Sequence, residues 1–347
     1  MPGATGKRLP FKSLKSRVLT ALFVIFVSLI TIVTVSYESL AAGPRKEEIP
    51  PPRPRYGLPA ELGAKDLRFA GERIPLERKD VRSRILSQIN FLLLDARSVL
   101  SLWLTDDLQY AWIFQEIFQK EGLPKEFVLL APILSRMKRP EDKGRRGGIW
   151  ALETPCGGES GVAMSTSDSH DDRMDVDLST KCFSAQIKQL RKELSDSGWL
   201  MTVAAYMSSK KTVEDLRRVW NAQSFWDVPF TESPDVLVPR WIALWLIYSY
   251  PSTYDLDLKP PQPITFDQVK GVVLAKDLPI AEVARILGVP PRIVLLLNPK
   301  IKPSSGIFSA RENGKQAVHT ITAPRGKGQL LVKALKEKGY LAAKPGK

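Results

Sequence analysis

Between Val81 and Leu246 apolar residues return every three or four positions, the period of helices with one face turned inward. In VRSRILSQINFLLLDARSVLSLWL that face is Ile85, Ile89, Leu92, Leu93 and Leu100. In QYAWIFQEIFQKEGLP it is Trp112, Ile113, Ile117 and Phe118, and Gly122 and Pro124 stop the helix. PKEFVLLAPIL has few polar residues and predicts a short central helix. KCFSAQIKQLRKELSDSG and WLMTVAAYMSS predict a helical pair. PDVLVPRWIALWLIYSYP closes the region with a core helix whose start is interrupted by Pro239 and Arg240.

The pattern changes on either side. After the break PPQPIT comes a small α+β unit in the order βααβ: strand FDQVKGVVLA, helix PIAEVARILGV, helix RIVLLLNPKI and strand QAVHTITAP. A further helix is expected over Gln329–Lys338, within a basic tail. Upstream, the proline-rich stretch Ala41–Pro59 reads as an extended spacer. Before it, Val18–Val35 is uncharged and apolar over close to the ~20 residues that span a bilayer. Its basic flank puts the N-terminus in the cytoplasm and the bulk in the periplasm. A signal peptide cleaved near Ser39-Leu40-Ala41 is the alternative. The expected organisation is a cytoplasmic tail (1–17), an inner-membrane anchor (18–37), a linker (38–62), a helical domain (63–251), a linker (252–263), the βααβ module (264–325) and a basic tail (326–347).

A chain of 347 residues, 44% hydrophobic, suffices for one large and one small domain. The net charge of +14 favours phosphate, anionic lipid or carboxylate-rich polymers, and export argues against nucleic acid. The only cysteines are Cys156 and Cys182. They bracket a Gly-, Ser- and Asp-rich stretch with little apolar surface of its own, and a disulfide would stabilise it by about 3 kcal/mol in the chain-entropy model. Two unrelated buried thiols are the alternative. The two histidines, His170 and His319, lie far apart and no Cys/His cluster accompanies them, so neither metal nor cofactor is expected.

Five stretches keep the order of a known family: EGLPKEFVLLAPILS, GGIWAL, DDRMDVDLST, WLMTVAAYMSS and VLVPRWIAL. Together they resemble the lytic murein transglycosylases of the membrane-bound D type, and IAEVARILGVPPRIVLLLNPKI resembles a lysin-motif unit. The resemblance implies a mainly α, lysozyme-like domain followed by a glycan-binding βααβ module. It implies peptidoglycan strands as partner and cleavage to a 1,6-anhydro product by one glutamate, acting first as acid and then as base.

This chain departs from the family where the chemistry sits. Ser135 stands at the catalytic glutamate position, and a serine hydroxyl is no useful proton donor near neutral pH. The family's cleft glutamine, asparagine and tyrosine are Ala151, Met207 and Leu237. Glu153, Glu141 and Glu159 are nearby carboxylates, of which Glu153 is the candidate substitute acid; otherwise they are solvated loop charges. Trp150 and Tyr206 are candidate sugar contacts, or else core residues with satisfied polar atoms. Arg173 with Asp171, Asp172 and Asp175 reads as a structural ion-pair network that Arg240 could join. Lys143–Gly148 could meet peptide-stem carboxylates or be a solvated loop. Three functions follow: a degenerate transglycosylase that binds or scaffolds peptidoglycan, an active enzyme with a displaced acid, or a membrane-anchored adaptor for envelope proteins.

Overall fold

The computed structural model describes residues 56–62, 67–105, 107–136, 146–157, 161–195, 197–231, 233–258, 263–312 and 314–342. The expected anchor at 18–37, Glu141 and Glu159 lie outside them. The structure is mainly helical, with 55% helix and 14% strand, compatible with a lysozyme-like α domain. Among the described residues no single helix is long and apolar enough to cross a membrane. From Arg55 onward the chain is one compact unit with two hydrophobic cores.

The larger core begins with a hairpin that the helical period hides. Strands β1 (Leu67–Phe69) and β2 (Glu72–Ile74) pair antiparallel around Ala70 and Gly71, both at positive φ, as a two-residue turn matching the strand twist requires. Helix α1 (Lys79–Asn90) runs through a π-turn at Phe91–Asp95 into α2 (Arg97–Thr105). The expected Ile85, Ile89, Leu92, Leu93 and Leu100 are all buried. In α3 (Ala111–Glu121) the inward residues are Ile113, Phe114, Ile117 and Phe118, while Trp112 is 41% exposed. Phe114 therefore replaces the expected Trp112, because the face that meets the core is set by the helix opposite.

A 3-10 turn, Lys125–Leu129, leads into α4 (Leu130–Arg136), which ends beside Ser135. Helix α5 (Val176–Glu193) starts at Asp175, whose carboxylate accepts from Leu178 N at 3.1 Å. Then come α6 (Trp199–Met207), α7 (Lys210–Trp220) and α8 (Ser233–Ser249). α8 crosses the centre with Pro239 inside it, and its interior turns are buried. Arg240 does not join the Asp171 network: its Nε donates to Gln88 at 2.8 Å and its guanidinium lies 4.3 Å from the Phe91 ring centre. Burial lowers its pKa to about 10.

The second core lies between β3 (Phe266–Val273) and β4 (Val318–Pro324), antiparallel with a bulge between Val269 and Val272, and the helices α9 (Ile280–Leu287) and α10 (Pro291–Leu297). Asn298 is buried but fully used: its amide donates to Val294 O and Thr322 O and accepts from Thr322 N, all within 2.9 Å. The segment expected as a tail contains α11 (Gly328–Glu337), whose Leu331 and Leu335 are fully buried in this core. Its basic residues are thus the outer face of an amphipathic helix.

The strap Ser165–Asp172 holds the two cores together. Asp171 N donates to Lys300 O at 2.7 Å and Lys302 N to Ser169 O at 2.9 Å. The His170 ring contacts Ser167 Oγ at 2.7 Å and Glu312 Oε1 at 2.9 Å.

Burial holds the His319 imidazole below its ordinary value of 6.5, and its Nε2–H donates to Ser309 O at 2.7 Å. A histidine with a depressed folded pKa contributes stability that is complete above the unfolded value and lost as pH falls. Melts between about pH 7.5 and about pH 5 should show stability falling below the ordinary histidine value, and less steeply in His319→Gln. Parallel slopes would remove His319 from the account.

Candidate functional site

The site is built on a tight turn. Gly147 and Leu152 exchange backbone hydrogen bonds at 2.9 Å, folding residues 147–152 back on themselves. Gly148 at φ +74° passes so close to Arg173 that a Cβ there would sit 1.8 Å from its carbonyl oxygen. Arg173 forks onto the Asp171 carboxylate at 2.7 and 3.0 Å and donates to Glu153 O at 3.0 Å. The expected ion-pair knot therefore ties this turn to the entry of α5. Asp175 contributes as the helix cap and lies 3.6 Å from Lys300.

The turn drives Trp150 inward. Its indole is fully buried, stacked on Phe183 with centroids 4.3 Å apart, edge-on to Phe114 and Phe118, and donates to Thr180 Oγ1 at 2.8 Å. A ring enclosed on every side has no face for a sugar, so of the two readings of Trp150 the structure favours core packing. The sequence offered no means of telling the two apart, since both require an aromatic after a glycine turn. Next to it Ala151 holds φ +51°, a left-handed conformation costing an L-residue about 1–2 kcal/mol.

Outside this turn lies a cleft of about 950 Å³, walled by the turn, by α5 and by the end of α6. Tyr206 lies on its wall; its hydroxyl donates to Trp150 O at 2.8 Å, and burial pushes its pKa well up. Glu153 is in the wall as well, 57% exposed and held by Arg146 at 2.7 and 3.1 Å. The second lining carboxylate, Glu193, is held below the ordinary carboxylate range by Gln189 and Lys210. Cys156, disulfide-bonded to the fully buried Cys182 with Cα atoms 5.7 Å apart, fixes the far lip.

Ser135 is half-buried at the end of α4, with its hydroxyl 3.5 Å from Pro132 O, and is not among the described residues lining this cleft. Met207 and Leu237 are buried, and Ala151 is the only one of the three departures in the cleft wall. The structure thus gathers Glu153 and Tyr206 but not Ser135. Sequence reading missed Arg146 as the Glu153 partner, and Gln186, Gln189 and Glu193 on the polar face of α5, because period analysis follows apolar positions. Among the described residues no cluster of three or more His, Cys, Asp or Glu side chains suits a metal ion.

The carboxyl with the environment of a proton donor lies elsewhere. Burial raises the pKa of Glu72, whose Oε1 accepts from Leu200 N at 2.8 Å and so caps α6. Its surroundings assign it to the helix end.

No family model matches this chain. It is 27% identical over 202 residues to the membrane-bound lytic murein transglycosylase D of Escherichia coli, in strains K12 and CFT073. The aligned stretch is 56% of this chain and 43% of each relative, so the match spans less than half of their length. This distant likeness supports a lytic-transglycosylase-like family.

Two substitutions in the turn should act in opposite directions. Trp150→Ala should lower stability by about 3–5 kcal/mol, the cost of removing a buried aromatic. Ala151→Gly should raise it by about 0.5 kcal/mol, the strain relieved less the freedom gained when unfolded. Urea unfolding curves check both, and a neutral Trp150→Ala would mean the indole does not anchor the turn.

Proposed function

We propose that this protein is a degenerate lytic-transglycosylase-like protein of the cell envelope that binds or scaffolds peptidoglycan without cleaving it. One observation carries the reading: the carboxylates among the described cleft residues, Glu153 and Glu193, are both exposed and both ion-paired. A general acid for glycosidic cleavage needs the reverse, a carboxyl in an apolar pocket that keeps its proton near neutral pH. The family glutamate is replaced by Ser135, which brings no carboxyl. General acid–base catalysis contributes about 10²–10⁴-fold, and in a one-carboxyl mechanism its loss removes protonation of the leaving oxygen and ring closure together.

The remaining parts of the proposal have their own supports. The Cys156–Cys182 disulfide suits an oxidising compartment such as the periplasm. The relatives are named membrane-bound, in keeping with the apolar segment 18–37 as an inner-membrane anchor. The strand-helix-helix-strand order of the second core, closed by Asn298, suits a lysin-motif-like module that contacts glycan.

The full-length protein in detergent, incubated with intact sacculi, should cosediment weakly and release no 1,6-anhydro muropeptides by mass spectrometry. Ser135→Glu should recover little or no activity, since Ala151, Met207 and Leu237 remain. Clear turnover by the natural sequence would overturn the proposal; its loss in Glu153→Gln would then identify a displaced acid. No cosedimentation, together with specific retention by an envelope protein, would favour the adaptor.

A further inference from the structure

A second groove, of about 680 Å³, lies across α5 from the cleft. It runs along the seam between the two cores, walled by α3, by α5 and by β3 of the second core. Trp112, the residue that sequence periodicity assigns to the interior, stands 41% exposed in its wall, 6.0 Å from Phe266 of the opposite core. The charge of the wall is uneven. Its acids Glu116, Asp177 and Glu121 are occupied by Lys120, Lys181 and Lys188 at 2.5–2.7 Å. Lys192 and Lys270 are exposed and have no ion-pair partner among the described residues.

The lysines on α5 form a stripe. At 100° per residue Lys181, Lys188 and Lys192 fall within about 40° of one another, over about 16 Å of helix. Lys188 and Lys192 stack at i, i+4; Glu121 answers Lys188, and Lys192 has no ion-pair partner among the described residues.

We propose that this seam groove binds a carboxylate-bearing glycan, with a sugar face on Trp112 and the carboxylates on the ammonium groups of Lys192 and Lys270. The proposal rests on the glycan reading above and adds a site distinct from the cleft. Aromatic faces attract the C–H side of a sugar ring, and lysines answer carboxylates as point charges. The groove exists only while the second core is docked, so the strap at Ser165–Asp172 is what completes it.

The test uses the full-length protein in detergent and calorimetric or fluorescence titration. The ligands are stem-bearing peptidoglycan fragments, polygalacturonate (a carboxylated glycan unrelated to murein), a neutral N-acetylglucosamine oligomer and polyglutamate. Lys192→Glu with Lys270→Glu should weaken binding of both carboxylated glycans about tenfold or more, with a loss of salt dependence. Trp112→Ala should weaken both and leave polyglutamate unchanged, since that polymer has no sugar face. Lys211→Glu, on the exposed surface of α7, controls for bulk charge and should change little. Thermal melts of the lysine variants should match the natural protein, as those side chains are exposed.

Carboxylated glycans bound as tightly by the double variant as by the natural protein, or not bound at all, would overturn the proposal. Equal loss in Lys211→Glu, or polyglutamate bound as well as the glycans and insensitive to Trp112, would reduce the groove to general electrostatics and overturn it too. Polygalacturonate bound through these residues while sacculi are ignored would keep the groove and defeat the murein reading. Turnover of sacculi with intact groove binding would defeat only the claim of inactivity.

Discussion

The burial of one indole organises much of this molecule. Trp150 stacks on Phe183, donates to Thr180 and supplies its carbonyl to Tyr206, so one residue joins the 147–152 turn to both α5 and α6. The turn reaches that position only because Gly148 lets the chain pass against Arg173, whose guanidinium then fastens it to Asp171. The cleft wall, the cap of α5 and the disulfide at Cys182 all lie on the element this contact fixes.

The cleft is therefore well made, and its tyrosine and its described carboxylates are already engaged. Its backbone keeps a left-handed residue at Ala151, whose methyl group puts no hydrogen-bonding group into the space. Tyr206 spends its hydroxyl on the main chain, and the lining carboxylates spend their charge on Arg146 and Lys210. Strain of this kind persists where the surroundings enforce a shape.

The second core changes what the first can offer. Its docking relies on main-chain hydrogen bonds between the strap and residues 300–302, backed by the His170 side chain among Ser165, Ser167 and Glu312. Such contacts fix orientation through direction more than through area. They hold β3 opposite α3 and α5 and so define the seam, bringing Trp112 beside Phe266, residues 154 positions apart in the chain.

The sequence by itself determined most of the helices. Period and ordered motifs are local properties, and local properties can be read from the chain. Tertiary structure alone decided which aromatic turned inward. Trp112, expected inside, stands partly exposed, and Trp150, open to either reading, is in the core, since burial depends on what packs opposite and not on the residue's own helix or turn. The β1–β2 hairpin was hidden because three-residue strands are too short to show a period. The folding of α11 into the second core, Arg146 opposite Glu153 and the lysine-lined seam were decided there too, because each needs segments distant in sequence to meet in space.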